Sequence, residues 1–286
     1  MLDQITPVIL TYNEAPNIGR TLERLRWARD IVVVDSFSDD ETLDIVSSFS
    51  QARVYQRALD TFAGQWNFAL KETGITAEWI LGLDADFVLT PEFIQELESL
   101  RPPHNMHGYR VPITYCVEGK PLRHSLLPPL MALYRRTVAR YSADAHTYRV
   151  ALDGDVGMLR AHILHDDRKS LRRWFQSQEQ NMEREAFKIL TATPDKLNFA
   201  DRIRRLRLVA PAAVFFYCLI KGGVLDGWAG LYYAIQRSVA ELLLSLYLLE
   251  HDLQLKKTRP VESANDDLSS TTSLAVAPKV ARASRP

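Results

Sequence analysis

The stretch Trp79-Ile80-Leu81-Gly82-Leu83-Asp84-Ala85-Asp86 decides the fold. An apolar run ends abruptly in two carboxylates two positions apart, and a run this short reads as a strand buried on both faces. Thr90-Pro91-Glu92 follows closely, with Thr90 placed to cap a helix and Pro91 to open it. Toward the amino terminus the same unit occurs twice more. Ile31-Val32-Val33-Val34 ends in Asp35, and beyond Ser36 to Glu41 a helix carries Leu43, Ile45, Val46 and Phe49. Residues 5–10 run into the loop Thr11-Tyr12-Asn13-Glu14 and then Ile18, Leu22 and Leu25 at helical spacing. Strands alternating with helices predict an α/β fold, a Rossmann-like, mostly parallel sheet covered on both faces. In such sheets ligands bind beyond the carboxyl ends of the strands. Thr11 to Glu14, Asp35 to Asp40 and Asp84 to Asp86 all fall at that edge.

Residues 101–165 are richer in Pro, His and Tyr, with shorter apolar runs at Gly108 to Ile113 and Leu130 to Tyr134. They predict further strands of mixed direction that bring loops back across the same edge. From Ser170 the pattern turns helical, with Leu171, Trp174, Phe175 and Gln178. The basic run Arg202, Arg204, Arg205 and Arg207 precedes apolar stretches at Leu208 to Ile220, Leu231 to Ile235 and Val239 to Leu249. A spanning helix needs about 18 or more apolar residues. The longest charge-free segment here, Leu208 to Ile220, is interrupted by Pro211 and ended by Lys221, so a crossing is not expected. Apolar helices behind arginines fit a peripheral anchor on an anionic membrane, with a buried helical pair or an oligomer contact as the plainer alternative. Residues 256–286, rich in Ser, Thr, Ala and Pro, predict a disordered tail. The expected organisation is therefore residues 1–169 as the catalytic domain, 170–255 as a helical, membrane-proximal appendage and 256–286 as the tail.

The 286 residues contain 35 Lys+Arg and 35 Asp+Glu, so no global basic field points to nucleic acid. Cys116 and Cys218 form neither a CxxC pair nor a disulfide framework, which suits a reducing compartment. The first residues lack a basic-then-apolar signal profile, and the expected location is cytoplasmic.

Two carboxylates at the end of one strand can bend toward one point, and hard divalent cations prefer such oxygen ligands. The plain alternative is a turn in which Asp caps the next helix. Asp35, at the end of a second strand, suits hydrogen bonding to a ribose or base. No GxGxxG follows the first strand and no P-loop is present, which disfavours a dehydrogenase.

Together Pro7 to Glu14, Val32 to Ser36 with Ser38 and Asp40, and Gly82 to Asp86 resemble, in order and spacing, the signature of family 2 glycosyltransferases with the GT-A fold. The stretches His165-Asp166-Asp167-Arg168-Lys169 and Gly222 to Gly227 resemble the lipopolysaccharide-core β-glucosyltransferase branch. The resemblance implies a nucleotide-sugar donor, with Thr11, Tyr12, Glu14 and Asp35 around the nucleoside. Asp84 and Asp86 would hold Mg²⁺ or Mn²⁺ on the diphosphate, and His165 matches a late histidine that reaches back to the metal. It further implies an inverting transfer to a cell-envelope glycan or glycolipid.

That branch usually has His followed by Glu where this chain reads Asp144-Ala145-His146-Thr147. Thr147 cannot serve as the carboxylate, so Asp144, with His146 behind it, is the expected base. In Phe62 to Asn67, Trp66 stands where the family usually has Lys or Arg, and Asn67 is expected either to contact the donor or to cap a helix. Two rival readings are a DxD-type phosphatase, with Asp84 as nucleophile and Asp86 as acid/base, and a catalytically inactive membrane-surface scaffold. The phosphatase motif normally occupies the first strand, whereas here two strand-helix units precede it.

Overall fold

The computed structural model describes residues 1–144, 147–193, 195 and 197–258. The chain runs β1 (Ile5–Thr11), α1 (Ile18–Glu23), β2 (Ile31–Asp35), α2 (Thr42–Ser47), β3 (Ala52–Gln56), α3 (Phe62–Glu72), β4 (Trp79–Asp84), β5 (Phe87–Leu89) and α4 (Pro91–Ser99). Eight short strands follow: β6 (Met106–Val111), β7 (Ile113–Val117), β8 (Lys120–Pro121), β9 (Leu130–Arg135), β10 (Arg140–Asp144), β11 (Thr147–Ala151), β12 (Asp155–Met158) and β13 (Ile163–His165). The remainder is helical: α5 (Leu171–Thr191), α6 (Phe199–Arg204), α7 (Val209–Cys218), a π-turn at Leu219–Gly223 and α8 (Trp228–Thr258). Met1–Leu248 makes up one unit and the chain from Leu249 another.

The main sheet has seven strands in the order β12-β6-β9-β4-β1-β2-β3. β1 is paired in parallel with both β2 and β4, and only β9 runs against its neighbours. The expected parallel core is present, and the mixed strands follow in the stretch where they were predicted. Beside it, β5, β13, β7 and β8 form a smaller sheet.

Alternation along the central strands sorts side chains to two cores. Ile9, Ile31, Val33, Leu81 and Leu83 pack with Leu22, Phe93 and Leu97 of the helical layer on one face. Val8, Val32, Val34 and Ile80 pack on the other face with Trp66, Ala69 and Leu70 of α3. Trp66 lies nearly parallel to Tyr141, with ring centroids 5.2 Å apart. A Cβ at Gly82 would stand 3.2 Å from the Trp66 ring and 3.1 Å from the Tyr134 hydroxyl, so the strand glycine makes room for the indole. Where the family that the sequence resembles usually has a basic residue, this chain has a buried aromatic plug.

Capping follows the sequence at α4, and α5 is capped as well. Thr90 accepts from the Phe93 N–H with Pro91 opening α4, and Ser170 caps α5 by accepting from Arg173. β3 was not expected. It is the edge strand, half exposed and interrupted by Arg53 and Gln56, so it lacks the apolar run that marks its neighbours. In the helical part, Met182, Ala186 and Ile189 of α5 pack against Ala240, Leu244 and Leu248 of α8. Cys218, Tyr233 and Ala234 close over Leu122. Both cysteines are free and buried. No helix among the described residues is long and apolar enough to cross a membrane.

Candidate active site

Register builds the site. Thr11 is paired with Asp35 on one side of β1, and Leu10 with Asp84 on the other, so the ends of β2, β1 and β4 lie together at the carboxyl edge. Asp35 is fully buried and heavily engaged. Its Oδ1 accepts from the Thr11 hydroxyl at 3.0 Å and the Ser38 hydroxyl at 2.5 Å, and its Oδ2 accepts from the Ser38 N–H at 2.9 Å. The turn beyond β1 is held to this loop: the Asn13 N–H donates to Ser38 Oγ, and Asn13, at φ 56°, donates its side-chain amide to Asp39. Tyr12 is left half exposed above the edge, with the Arg173 guanidinium 5.9 Å over its ring and donating to its carbonyl.

Asp84 and Asp86 open inward from the end of β4. Burial, and then the Asp86 charge beside it, push the Asp84 carboxyl up to about 7. Burial works the same way on Asp86, but His165 and Lys169 overcome it and hold that carboxyl low. His165 Nε2 lies 3.1 Å from Asp86 Oδ2, and the imidazole stands edge-on between Phe87 and Tyr115. Although burial alone would lower the imidazole, Asp86 and then Asp84 raise it. Strand pairing fixes this contact, because β13 runs antiparallel to β5 with His165 opposite Phe87.

The sequence reading missed Lys169 as a site residue. Its ammonium donates to Glu14 Oε1 at 2.7 Å and lies 3.4 Å from Asp167 and 3.9 Å from Asp86. Burial would lower it, but Asp86, Glu14 and Asp167 together raise it. The Glu14 carboxyl is raised by burial despite Lys169. Asn17 donates to both Glu14 and Asp167, tying the β1 turn to the loop after β13. Arg20 and Arg168 both clamp Asp166. The signal for these residues is the charged run 165–169 placed directly after a strand. Their partners, however, lie some 150 positions away and appear only in the fold.

The structure thus gathers Glu14, Asp84, Asp86 and His165 at one place and Thr11 with Asp35 beside it. Asn67 is spent elsewhere: its amide donates to the Tyr141 carbonyl and accepts from the Tyr141 N–H, while Thr61 caps α3. Asp144 closes β10 opposite Thr147. The Asp144 side chain and all of His146 lie outside the described residues.

Among the described residues no group of three or more His, Cys, Asp and Glu side chains stands as an open metal cage. The donor set nevertheless fits a divalent cation in its chemistry. Asp86 Oδ1 is buried and without a hydrogen-bond partner, beside an Asp84 carboxyl that burial has driven up. A buried carboxylate oxygen with no hydrogen-bond partner leaves a lone pair free for a ligand, and oxygen donors suit Mg²⁺ or Mn²⁺.

Residues 6–139 match the model of glycosyl transferase family 2. They form a glycosyltransferase family 2 domain. The seven-stranded sheet around β1 and β4 has the GT-A architecture expected of such a domain. An uncharacterized glycosyltransferase of Rickettsia prowazekii is 29% identical over 147 residues, which is 49% of this chain and 49% of that one. LpsC of Rhizobium meliloti, a lipopolysaccharide core biosynthesis glycosyltransferase, is 28% identical over 173 residues, 56% of this chain and 62% of its own length. The chain thus spans about half the length of the first curated relatives it matches. Among solved structures, Staphylococcus aureus TarS 1–349 in complex with UDP-GlcNAc is similar at 16% identity, over 88% of this chain and 92% of that one, with a TM-score of 0.46. Glucosyl-3-phosphoglycerate synthase of Mycobacterium tuberculosis is similar at 15% identity, over 65% and 78%, with a TM-score of 0.44. The family 2 domain contains the Thr11, Asp35 and Asp84 to Asp86 strand ends, whereas His165 and Lys169 lie beyond its matched residues.

Proposed function

We propose that this protein is an inverting, metal-assisted glycosyltransferase that moves a sugar from a nucleotide-sugar to a cell-envelope glycan or glycolipid. The observation that carries the reading is the convergence of Asp84 and Asp86, with one carboxylate oxygen unpartnered, on the strand edge where Thr11 and Asp35 stand in register. Thr11 and Asp35 form the wall facing the nucleoside, with Tyr12 as an aromatic face above it. Asp35 is already held by four hydrogen bonds from Thr11 of β1, Ser38 of its own loop and Gln56 of β3, so this wall is rigid before any donor arrives.

Asp84 and Asp86 would hold the cation, with His165 fixing the orientation of Asp86. Such a cation, when bound, neutralises charge on the departing nucleoside diphosphate. Lys169 places a second, permanent positive charge beside the same carboxylates, and Glu14 is the group that orients it. Asp144, with His146 two positions on in the sequence, is the proposed base that takes the proton from the attacking acceptor hydroxyl. The lipopolysaccharide-core relative supports an envelope acceptor. A lipid-linked acceptor would place the protein on the cytoplasmic face of the inner membrane as a peripheral protein.

Binding and slow hydrolysis across a panel of nucleotide-sugars, with and without Mn²⁺, tests the reading. Metal-dependent turnover of one donor, lost in Asp86→Ala, is expected. Release of phosphate from a simple ester without turnover of any nucleotide-sugar would instead establish the phosphatase. Binding of no donor under any metal condition would leave the scaffold.

A further inference from the structure

We infer that the corner between α7 and α8 is a lipid-inserting tip, and that its ligand is an anionic phospholipid surface. The inference rests on the peripheral-membrane part of the proposed function and gives that contact an address. Ile220, Val224, Leu225 and Trp228 are 69–84% exposed, all within nine residues, and Phe216 and Tyr217 extend the patch along α7. Large apolar side chains clustered in this way mark an interaction surface, whereas single exposed ones are ordinary.

The corner is built to hold these side chains outward. Gly222 at φ 144° and Gly227 at φ 63° turn the chain. A Cβ on Gly230 would stand 2.1 Å from the Gly223 carbonyl oxygen, so only glycine lets the end of α7 and the start of α8 meet. The inner side is already satisfied: Cys218, Tyr233 and Ala234 pack on Leu122, and the Asp226 carboxylate is buried and accepts from the Arg123 N–H. The outer side is therefore free to meet something else without unfolding the inner one.

Charge identifies the partner. Between Leu206 and Ala240 the only acidic residue is Asp226, and it is turned inward. The cations Lys120, Arg123 and Lys221 rim the corner, through Lys120 Nζ on the Asp226 carbonyl, Arg123 on the Asp226 carboxylate and Lys221 over the Tyr217 ring. An exposed Trp with aliphatic neighbours and a cationic rim suits the headgroup boundary of an anionic bilayer. A second protein surface would have to offer both acids and an apolar pocket. Of the four arginines expected as the anchor, two are already engaged within the fold. Arg204 is drawn inward onto Glu185, Asp201 and Glu241, and Arg205 donates to the Ile189 carbonyl.

Co-sedimentation with phosphatidylcholine vesicles, with and without phosphatidylglycerol, tests this on the full chain. The wild type is expected to pellet with the anionic vesicles, and Leu225→Glu/Trp228→Glu to lose at least about tenfold in affinity. Trp228→Leu should still pellet but lose the part of the tryptophan emission that brominated lipids quench. Hydrolysis of a soluble nucleotide-sugar should be the same in all three proteins, so a failed donor assay counts against the proposed function and a failed vesicle assay against the tip. Wild type remaining in the supernatant, or pelleting of the double variant equal to wild type, overturns the inference. A dimer that the double variant abolishes, without vesicle binding by the wild type, overturns it in favour of a second copy of the chain.

Discussion

Two clusters of buried carboxylates treat their charge in opposite ways. In the helical region, Glu185, Asp201 and Glu241 all turn onto Arg204, whose guanidinium meets them at 3.2, 3.3 and 2.8 Å, and Lys188 adds a contact to Glu185. At the strand edge, Glu14, Asp84, Asp86 and Asp167 share Lys169 and His165, one Asp86 oxygen has no partner, and Asp84 is driven up toward neutrality. The first arrangement is closed and serves the packing of α5, α6 and α8. The second has more acids than cations, and a buried carboxylate oxygen that folding leaves without a partner marks a place kept for a ligand.

Arg204→Ala should have the largest effect. It leaves three buried carboxylates facing one another, and stability should fall by about 3–5 kcal/mol in urea unfolding, with unchanged donor affinity in the folded fraction. A small loss would mean the helical cluster is not closed, and the contrast would break. Asp86→Ala should weaken metal-dependent donor binding by about a hundredfold or more, measured by calorimetry, with the circular dichroism spectrum retained.

Asp84→Asn goes the other way. Removing a carboxyl that burial penalises should stabilise the metal-free protein by about 1–3 kcal/mol while donor binding is lost. The sign also shows in pH. Because the folded carboxyl keeps its proton to about 7 while the unfolded one releases it near 3.8, its contribution to metal-free stability should fall as pH rises between those values and level off above. The Asn variant should lack that slope, which paired urea titrations at several pH values would read. Arg173→Ala, which removes a cation from the Tyr12 ring, should weaken donor binding by only about 0.5–1 kcal/mol. An effect as large as that of Asp86→Ala would mean that Tyr12 positions the donor more than the acids do.

The contrast also explains what could be seen in advance. β1, β2 and β4 were legible because each is a short apolar run that stops at polar residues, and the acids that end them are the site. β3 was not, because a half-exposed edge strand needs no apolar run. Trp66 was visible as a departure from a basic position, but its role depends on the space above Gly82, which only the packing reveals. In the helical region the run of four arginines fits a peripheral anchor when read from sequence, and only the fold shows Arg204 turned onto Glu185 and Glu241, 19 and 37 positions away. Lys169 stood in a charged run already noticed, and only its distance to Glu14 makes it part of the site.

The most direct test of the central claim is to titrate Mn²⁺ and a nucleoside diphosphate, separately and together, into wild type and Asp86→Asn by calorimetry. The account predicts that each ligand strengthens the other in the wild type and that this coupling disappears in the variant. Equal nucleoside diphosphate binding with Mn²⁺ and with a chelator, in both proteins, would contradict it, and the unpartnered carboxylate oxygen would then need another explanation.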